Sequence, residues 1–141
     1  MDPKIKSSKK RSILIVEDEQ IIADMYVRVF EMRPFKAFVA RNYEEGLALF
    51  EKVFPSFVLL DLLLPQQGAI EADYAGEPVG LTLLRKIRQH PEGQDTTVIV
   101  LTNLAQDLHK KQAMNLGADL YLVKAEIEPV QLVKRVDSLA R

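Results

Sequence analysis

An unbroken apolar run that ends in a carboxylate constrains the fold more than any other feature of this sequence. Residues 56–61 (SFVLLD) lie between Pro55 and Pro65, and Asp61 closes the run. A short apolar run bounded by turn residues predicts a strand that is buried on both faces of a parallel sheet. The carboxylate of Asp61 must then lie at the edge of that sheet, because an unpaired charge is too costly to bury.

Four further apolar runs alternate with segments whose apolar residues recur at helical spacing. Strands that alternate with amphipathic helices require a parallel sheet covered by helices on both faces. We therefore predict an α/β fold with a five-stranded parallel sheet in the flavodoxin-like order 2-1-3-4-5, which brings strands 1 and 3 together. The predicted strands are 12–16, 36–40, 56–61, 97–101 and 120–123, and the predicted helices are 20–33, 42–54, 81–90, 107–115 and one from about 128.

The composition is that of a single globular domain, with 48% apolar and 28% charged residues among 141. No apolar stretch is long enough to span a membrane and no secretion signal is evident, so we expect a cytoplasmic protein. The absence of cysteine excludes disulfides, thiolate metal sites and a cysteine nucleophile. A net charge of -1 gives no general attraction to nucleic acid. The basic residues of 1–11 predict a disordered tail.

Polar side chains follow four of the five predicted strands. Glu17 and Asp18 follow strand 1, Asp61 follows strand 3, Thr102 follows strand 4 and Lys124 follows strand 5. Each could be an ordinary cap, turn or surface residue when considered alone. Because the carboxyl ends of parallel strands share one edge, they are expected to converge, and carboxylates that converge need a cation between them. Oxygen ligands without histidine or cysteine favour a hard ion such as Mg²⁺.

One chemistry would use all of these groups together. Asp61 would attack a phosphoryl group as a carboxylate nucleophile, while Mg²⁺ and Lys124 would neutralise the phosphoryl oxygens. Thr102 would add a hydroxyl donor. The site therefore predicts phosphoryl transfer to the protein's own carboxylate.

Four segments together resemble the receiver domain of two-component response regulators. They are ILIVEDE at 13–19, LLDLLLP at 59–65, VIVLT at 98–102 and GADLYLVK at 117–124. The resemblance covers residues 12–141, with all four motifs in order and each at a predicted strand end. It implies a phosphorelay protein that is phosphorylated by a histidine kinase or a phosphotransfer protein.

The resemblance assigns the phosphoacceptor and the metal ligands. Asp61 matches the phosphorylated aspartate, and Asp18 matches the acid that binds Mg²⁺ directly, with Mn²⁺ as an alternative ion. Glu17 matches the neighbouring acid, which often acts through water. The backbone carbonyl of Leu63 matches the third protein ligand.

The resemblance also implies a two-state switch. Thr102 matches the hydroxyl that moves to the phosphoryl group, and Tyr121 matches the aromatic residue that turns inward with it. Lys124 matches the lysine that forms a salt bridge in the pocket. The output surface would then lie on helix 4, strand 5 and helix 5.

The sequence departs from the family pattern at several positions. A proposed insertion at about 66–77, before Gly80, lengthens the loop after strand 3, and we expect it to affect access or partner choice. Asn103 replaces a small residue and could narrow the approach to Asp61. Ala125 replaces a proline that usually follows a cis bond, so we expect a trans Lys124–Ala125 bond, or a strained cis bond held by its surroundings. Leu63 is apolar where some relatives are polar, which could alter the lifetime of the phosphoaspartate.

We interpret the chain as a stand-alone receiver whose self-modification does not make it an enzyme. Its downstream target would be a protein rather than nucleic acid or membrane, and it would be a monomer or a weak dimer. One alternative is a pseudo-receiver that binds partners without phosphorylation. A Mg²⁺-dependent phosphohydrolase would typically carry a second aspartate at the position of Leu63, and a nucleotide-binding protein would carry a phosphate-binding loop that is absent here.

Overall fold

The computed structural model describes residues 11–65 and 76–139, in which five strands alternate with five α-helices. The longest of the described helices has 12 residues, and none of those helices is long and apolar enough to cross a lipid bilayer. The elements are β1 (Arg11–Val16), α1 (Gln20–Glu31), β2 (Phe35–Ala40), α2 (Tyr43–Val53), β3 (Phe57–Leu60), α3 (Val79–Gln89), β4 (Thr97–Thr102), α4 (Asp107–Asn115), β5 (Leu120–Val123) and α5 (Pro129–Leu139).

The five strands form one parallel sheet in the order β2-β1-β3-β4-β5, which confirms the predicted topology. In the register of the sheet, Leu60 pairs with Val16 on one side and with Val100 on the other. β1 and β3 therefore end at the same height, whereas β4 and β5 run two residues further, to the pair of Thr102 and Val123. The carboxyl ends of all four strands share one edge of the sheet.

Two apolar cores cover the two faces of the sheet. Alternate residues of β1 point to opposite faces, because side chains alternate along a strand. Leu14 joins the core beneath α2, α3 and α4, and Ile13 joins the core beneath α1 and α5. Both residues are fully buried. The central strands are thus buried on both sides, as their continuous apolar runs predict.

The first strand begins at Arg11, a residue that we had assigned to the basic tail. The Arg11 N–H donates to the Pro34 carbonyl at 2.9 Å, and its guanidinium pairs with Asp137 at 2.8 Å. The same guanidinium lies 4.6 Å from the centre of the Phe35 ring. These contacts join Arg11 to β2 and α5, whereas the sequence shows it only as the end of a basic run. The predicted tail otherwise lies outside the described residues.

Other element boundaries differ from the prediction by a few residues. The first helix ends at Glu31 instead of Arg33, and a turn then leads into β2. Asn42 caps α2 as expected, since its side chain accepts from the Glu45 N–H at 2.8 Å. Two short 3₁₀ helices, at Pro91–Gly93 and Lys124–Glu126, were not predicted.

Most of the proposed insertion at 66–77 lies outside the described residues, and so do the acidic and aromatic residues expected to act there, Glu71, Asp73 and Tyr74. Only its last two residues are described. The Glu77 carboxylate accepts from the Thr82 hydroxyl at 2.8 Å and pairs with the Arg85 guanidinium at 2.9 Å. These bonds join the end of the loop to the first turns of α3.

Candidate functional site

The predicted site residues lie where β1, β3, β4 and β5 end. The Asp61 N–H donates to the Val16 carbonyl at 3.2 Å, and the Glu17 N–H donates to the Ala40 carbonyl at 3.0 Å. These two bonds continue the ladder of the sheet by one residue. The positions of Glu17 and Asp61 are therefore set by the central strands rather than by flexible loops.

Three carboxylates converge at this edge, as the sequence predicts. One oxygen from each of Glu17, Asp18 and Asp61 lies within 4.8 Å of the others. Glu17 is 2% exposed, Asp61 is 6% exposed and Asp18 is half-buried. Acidic groups this close and this poorly hydrated repel one another, so the cluster favours a bound cation.

Lys124 forms ion pairs with two of the three carboxylates. Its Nζ lies 2.7 Å from Glu17 Oε1 and 2.7 Å from Asp61 Oδ2. Burial acts to lower the pKa of Lys124, but the hydrogen bonds to Asp61 and Glu17 outweigh burial and raise the pKa well above its usual value. The ammonium group is therefore charged at every physiological pH.

The Glu17 carboxyl has a raised pKa, because its burial outweighs the hydrogen bond from Lys124 and a second one from the backbone of Glu19. The Glu19 N–H donates to Glu17 Oε2 at 3.1 Å. With three carboxylates and one ammonium, the cluster keeps an excess of two negative charges when all groups are ionised. Burial therefore disfavours the charged form of Glu17, and the hydrogen bond from Lys124 offsets this only in part.

The donor set fits a hard divalent cation. The cluster offers only oxygen ligands on closely spaced side chains, which suits Mg²⁺. The Leu63 N–H donates to Asp61 Oδ1 at 3.0 Å, while the Leu63 side chain is 53% exposed. This bond holds the backbone of residues 61–63 around the carboxylate. The ligand role of the Leu63 carbonyl itself stays a prediction.

The two predicted switch residues both contact Leu104, which follows β4. The buried Thr102 hydroxyl accepts from the Leu104 N–H at 3.4 Å. The Tyr121 hydroxyl donates to the Leu104 carbonyl at 2.5 Å, and its ring is buried. Burial raises the pKa of Tyr121. Tyr121 therefore lies inward in this structure, bonded to the loop that follows Thr102.

Gly80 packs directly against the backbone of Asp61 and Leu62. A Cβ atom at this position would lie 2.3 Å from the Asp61 carbonyl oxygen and 2.4 Å from Leu62 Cα, so only glycine fits. The Gly80 N–H donates to the Leu62 carbonyl at 2.9 Å. This close packing supports the assignment of Gly80 as the glycine that follows the insertion.

The residues at two departures from the family pattern, Asn103 and Ala125, contact each other. The Ala125 N–H donates to Asn103 Oδ1 at 2.9 Å, which joins the loop after β4 to the loop after β5. A proline at position 125 would have no N–H to donate. The Lys124–Ala125 bond is trans, which confirms the first of our two alternatives. That Asn103 narrows the approach to Asp61 stays a prediction.

Sequence reasoning missed Arg41, which follows β2 and bonds to the acidic loop. Its Nε donates to the Asp18 carbonyl at 2.9 Å, its Nη2 donates to the same carbonyl, and its Nη1 donates to the Gln20 side chain. The sequence does place this arginine directly after a predicted strand. It therefore belongs to the same edge of the sheet as Glu17, Asp18 and Asp61, and this position was the signal that could have identified it.

Sequence reasoning also treated Tyr26 only as part of the apolar face of α1. Its side chain is buried beneath the acidic cluster, and a narrow void lies between it, Glu17 and Asp61. Burial raises the pKa of Tyr26 to about 12. The side chain beneath the three carboxylates is thus the phenol of Tyr26, which stays protonated at neutral pH.

Comparisons with known proteins agree with this geometry. The model of the response regulator receiver domain matches residues 13–137. The phosphate regulon transcriptional regulatory protein PhoB of Pseudomonas aeruginosa is 30% identical over 131 residues, which are 93% of this chain and 52% of that protein. The regulator RpaA of Synechocystis is 30% identical over 92% of this chain and 48% of its own length. The chain thus spans about half the length of these curated relatives.

Solved structures give the same result. A CheY-like receiver domain of Methanospirillum hungatei has a TM-score of 0.78 at 27% identity and covers 93% of this chain and 94% of its own. The receiver domain of a DNA-binding response regulator of Colwellia psychrerythraea has a TM-score of 0.76 at 27% identity, covering 93% of this chain and 98% of its own. Both similarities extend over the sheet and its helices. The chain belongs to the response regulator receiver domain family of two-component systems.

Proposed function

We propose that Asp61 accepts a phosphoryl group from a histidine kinase or phosphotransfer protein, in a reaction that depends on Mg²⁺ or Mn²⁺. The observation that carries this proposal is the ion pairing of Lys124 with both Glu17 and Asp61 inside a cluster of three carboxylates. A structural ion pair needs only one acid for one lysine. The additional acids favour a site that binds a divalent cation. The cation and Lys124 can then bind an anionic phosphoryl group.

The transfer step uses the Asp61 carboxylate as the nucleophile. One of its oxygens forms a P–O bond as the P–N bond to the donor histidine breaks, and the bonding pair stays on the imidazole nitrogen. The Lys124 ammonium is already 2.7 Å from Asp61 Oδ2, so it can follow the negative charge onto the phosphoryl oxygens. The Leu63 N–H holds the other oxygen and sets the orientation of the carboxylate.

Glu17, Asp18 and Asp61 would hold the divalent ion, together with the Leu63 carbonyl. The ion supplies neutralisation of the phosphoryl oxygens when it is bound. Two of these acids are almost fully buried, which keeps bulk water from competing for the ligands. Because the carboxylate of Asp61 is also the acceptor, the protein modifies itself, and we do not class it as an enzyme.

The switch would run from Thr102 to the surface of α4, β5 and α5. Thr102 must exchange its weak bond from the Leu104 N–H for a phosphoryl oxygen, and Tyr121 bonds the carbonyl of the same residue. A movement of Thr102 therefore changes the loop that Tyr121 holds. This links the pocket to the start of α4 through a single residue.

A groove of about 810 Å³ lies on this output face. It is lined by Tyr121 and by charged residues of α4 and α5, among them Lys110, Lys134 and Arg135. We propose that a protein partner binds in this groove, and that the chain makes no direct contact with nucleic acid or membrane. We also propose that the chain is a cytoplasmic monomer or weak dimer. The DNA-binding function named for some relatives belongs to those proteins.

The test is phosphate incorporation in Mg²⁺ with a small phosphodonor, measured by intact mass. The wild type is expected to gain about 80 Da, one phosphoryl group. Asp61→Asn is expected to gain nothing, while Asp24→Asn, an exposed aspartate on α1, behaves like the wild type. Phosphorylation of the Asp61→Asn variant to the same extent would overturn the assignment. A wild type that responds to neither acetyl phosphate nor beryllofluoride would instead be a pseudo-receiver.

A further inference from the structure

Arg41 lies at the end of β2, outside the set of acids, yet it contacts the metal-binding loop directly. We propose that Arg41 is a positioning residue for the divalent-cation site, holding the backbone of Asp18 so that its carboxylate stays beside Glu17 and Asp61. This inference rests on the proposed function only in requiring that the acidic cluster binds Mg²⁺.

The contact is made by two donors of one planar group. Arg41 Nε lies 2.9 Å from the Asp18 carbonyl oxygen, and Nη2 donates to the same oxygen. Nη1 donates to the side chain of Gln20, the first residue of α1. A fork of this shape fixes direction as well as distance, which a flexible ammonium group does not do.

The loop between β1 and α1 has few other restraints beyond Glu17. The N-cap position of α1 is Glu19, and no described side chain caps that helix. The Glu17 N–H is held by the Ala40 carbonyl, and the Glu19 N–H is held by Glu17 itself. The Asp18–Glu19 peptide is therefore held at its N–H by Glu17 and at its carbonyl by Arg41, so that Arg41 supplies the second restraint on its orientation.

Arg41 is itself fixed from the opposite side. Its backbone N–H donates to Glu45 Oε1 at 2.9 Å, in the first turn of α2. The next residue, Asn42, caps the same helix. The guanidinium thus connects the loop that carries Asp18 to β2 and α2. Outer contacts of this kind orient the residues that bind a metal.

The charge of Arg41 acts against this role. A cation next to a divalent site repels the ion, so a purely electrostatic role predicts that removing the charge tightens binding of every divalent ion. A positioning role predicts weaker binding, and more so for Mg²⁺ than for Ca²⁺. The reason is that Mg²⁺ demands near-ideal octahedral geometry, whereas Ca²⁺ accepts irregular ligands.

The experiment measures Mg²⁺ and Ca²⁺ dissociation constants by calorimetry for the wild type, Arg41→Lys and Arg41→Gln. Arg28→Gln is the matched control, because Arg28 lies in the last turn of α1, at the end away from the acidic loop. We expect both Arg41 variants to bind Mg²⁺ about ten-fold more weakly, while their Ca²⁺ affinity falls less than about three-fold. The control is expected to match the wild type.

The thermal midpoint in EDTA separates positioning from folding. It is expected to change little in Arg41→Lys, which keeps the charge and most of the side-chain stem. Equal weakening for both ions with a lowered midpoint would assign Arg41 a structural role and overturn the proposal, and so would tighter binding in Arg41→Gln. A wild type that binds no Mg²⁺ would remove the proposed function as well, whereas unchanged variants would remove this inference alone.

Discussion

Two charged clusters lie at opposite edges of the sheet, and they are built differently. At the amino edge, the side chain of Arg88 on α3 bonds to the loops before β4 and β5. It donates to the carbonyls of Gly117 at 2.7 and 3.1 Å, Gly93 at 2.7 Å and Thr96 at 2.6 Å, and it pairs with Asp119 at 3.0 Å. One cation here meets one acid and four carbonyl groups, the fourth being that of Gln94 at 3.5 Å.

At the carboxyl edge, three acids converge and one lysine pairs with two of them, while Arg41 bonds to the backbone carbonyl of the third. Lys124 pairs with Glu17 and Asp61, which leaves Asp18 and the overall negative excess without compensation from that lysine. The amino edge is therefore a structural contact, with its donors matched to acceptors. The carboxyl edge keeps unfavourable repulsion that a ligand can relieve, and such imbalance is characteristic of functional sites.

The largest expected effect is the loss of the Arg88 contacts. Arg88→Met keeps an apolar stem but removes the donors, leaving several part-buried carbonyls unsatisfied, so we expect the free energy of unfolding to fall by about 3 kcal/mol. Urea denaturation measures it, with Arg28→Met as an exposed control that should change by less than about 0.5 kcal/mol. If Arg88→Met lost Mg²⁺ affinity without losing stability, the contacts at the amino edge would not be purely structural, and the contrast with the carboxyl edge would be wrong.

The next effect concerns Tyr26, beneath the acidic cluster. Its pKa in the folded state, about 12 against an ordinary value of 10.0, means that the folded protein keeps a proton that the unfolded chain releases. This stabilisation is complete below pH 10 and is lost as the pH rises towards 12, at a cost of about 2 kcal/mol. Wild type should therefore lose stability relative to Tyr26→Phe over that range. Absorbance of tyrosinate should show an ionisation near pH 12 in the wild type that Tyr26→Phe lacks.

A smaller effect is expected for Asp18→Asn, which removes one of the three repelling charges. In EDTA the variant should be more stable than the wild type by about 0.5 to 1 kcal/mol, because the remaining acids repel less. In Mg²⁺ the wild type should gain stability by mass action and the variant should not. Asp24→Asn, with the same charge change on an exposed part of α1, is the control. Thermal unfolding with and without Mg²⁺ measures both differences.

The smallest effect is expected at the Asn103–Ala125 bond, which is exposed. Asn103→Ala should lower stability by less than about 1 kcal/mol but should increase hydrogen exchange of the Ala125 amide several-fold. Asn103→Asp keeps the acceptor oxygen and should keep the protection. Equal exchange rates in all three proteins would mean that this bond does not hold the two loops together in solution.

The sheet and the convergence of its polar ends could be predicted from sequence, because both follow from local patterns. Each strand is a continuous apolar run, and parallel strands must bring their carboxyl ends to one edge. The convergence of Glu17, Asp18 and Asp61 needed only the order of the strands. Their roles in catalysis and metal binding stay predictions.

Apart from Lys124, which the family resemblance assigned to the pocket, the long-range contacts of the cationic side chains could not be predicted. Arg11 joins the sheet through Asp137, 126 residues away, and Arg88 reaches Gly117, 29 residues away. Arg41 reaches Asp18 across 23 residues. A long cationic side chain looks the same in a sequence whether it is solvated or bonded to backbone carbonyls, so such residues carry no local signal.

The close fit of Gly80 against Asp61 has a consequence for how this family can vary. Tyr43 holds the carbonyl of Pro65 through its N–H at 3.1 Å, and Gly80 holds Leu62 at 2.9 Å, so both ends of the connection after β3 are attached to the rigid body of the domain. We therefore expect extra residues between these two attachment points to leave the position of the Asp61 carboxylate unchanged. On this reasoning, loop length at this place can differ among receivers without moving the carboxylates at the end of β3 and β1.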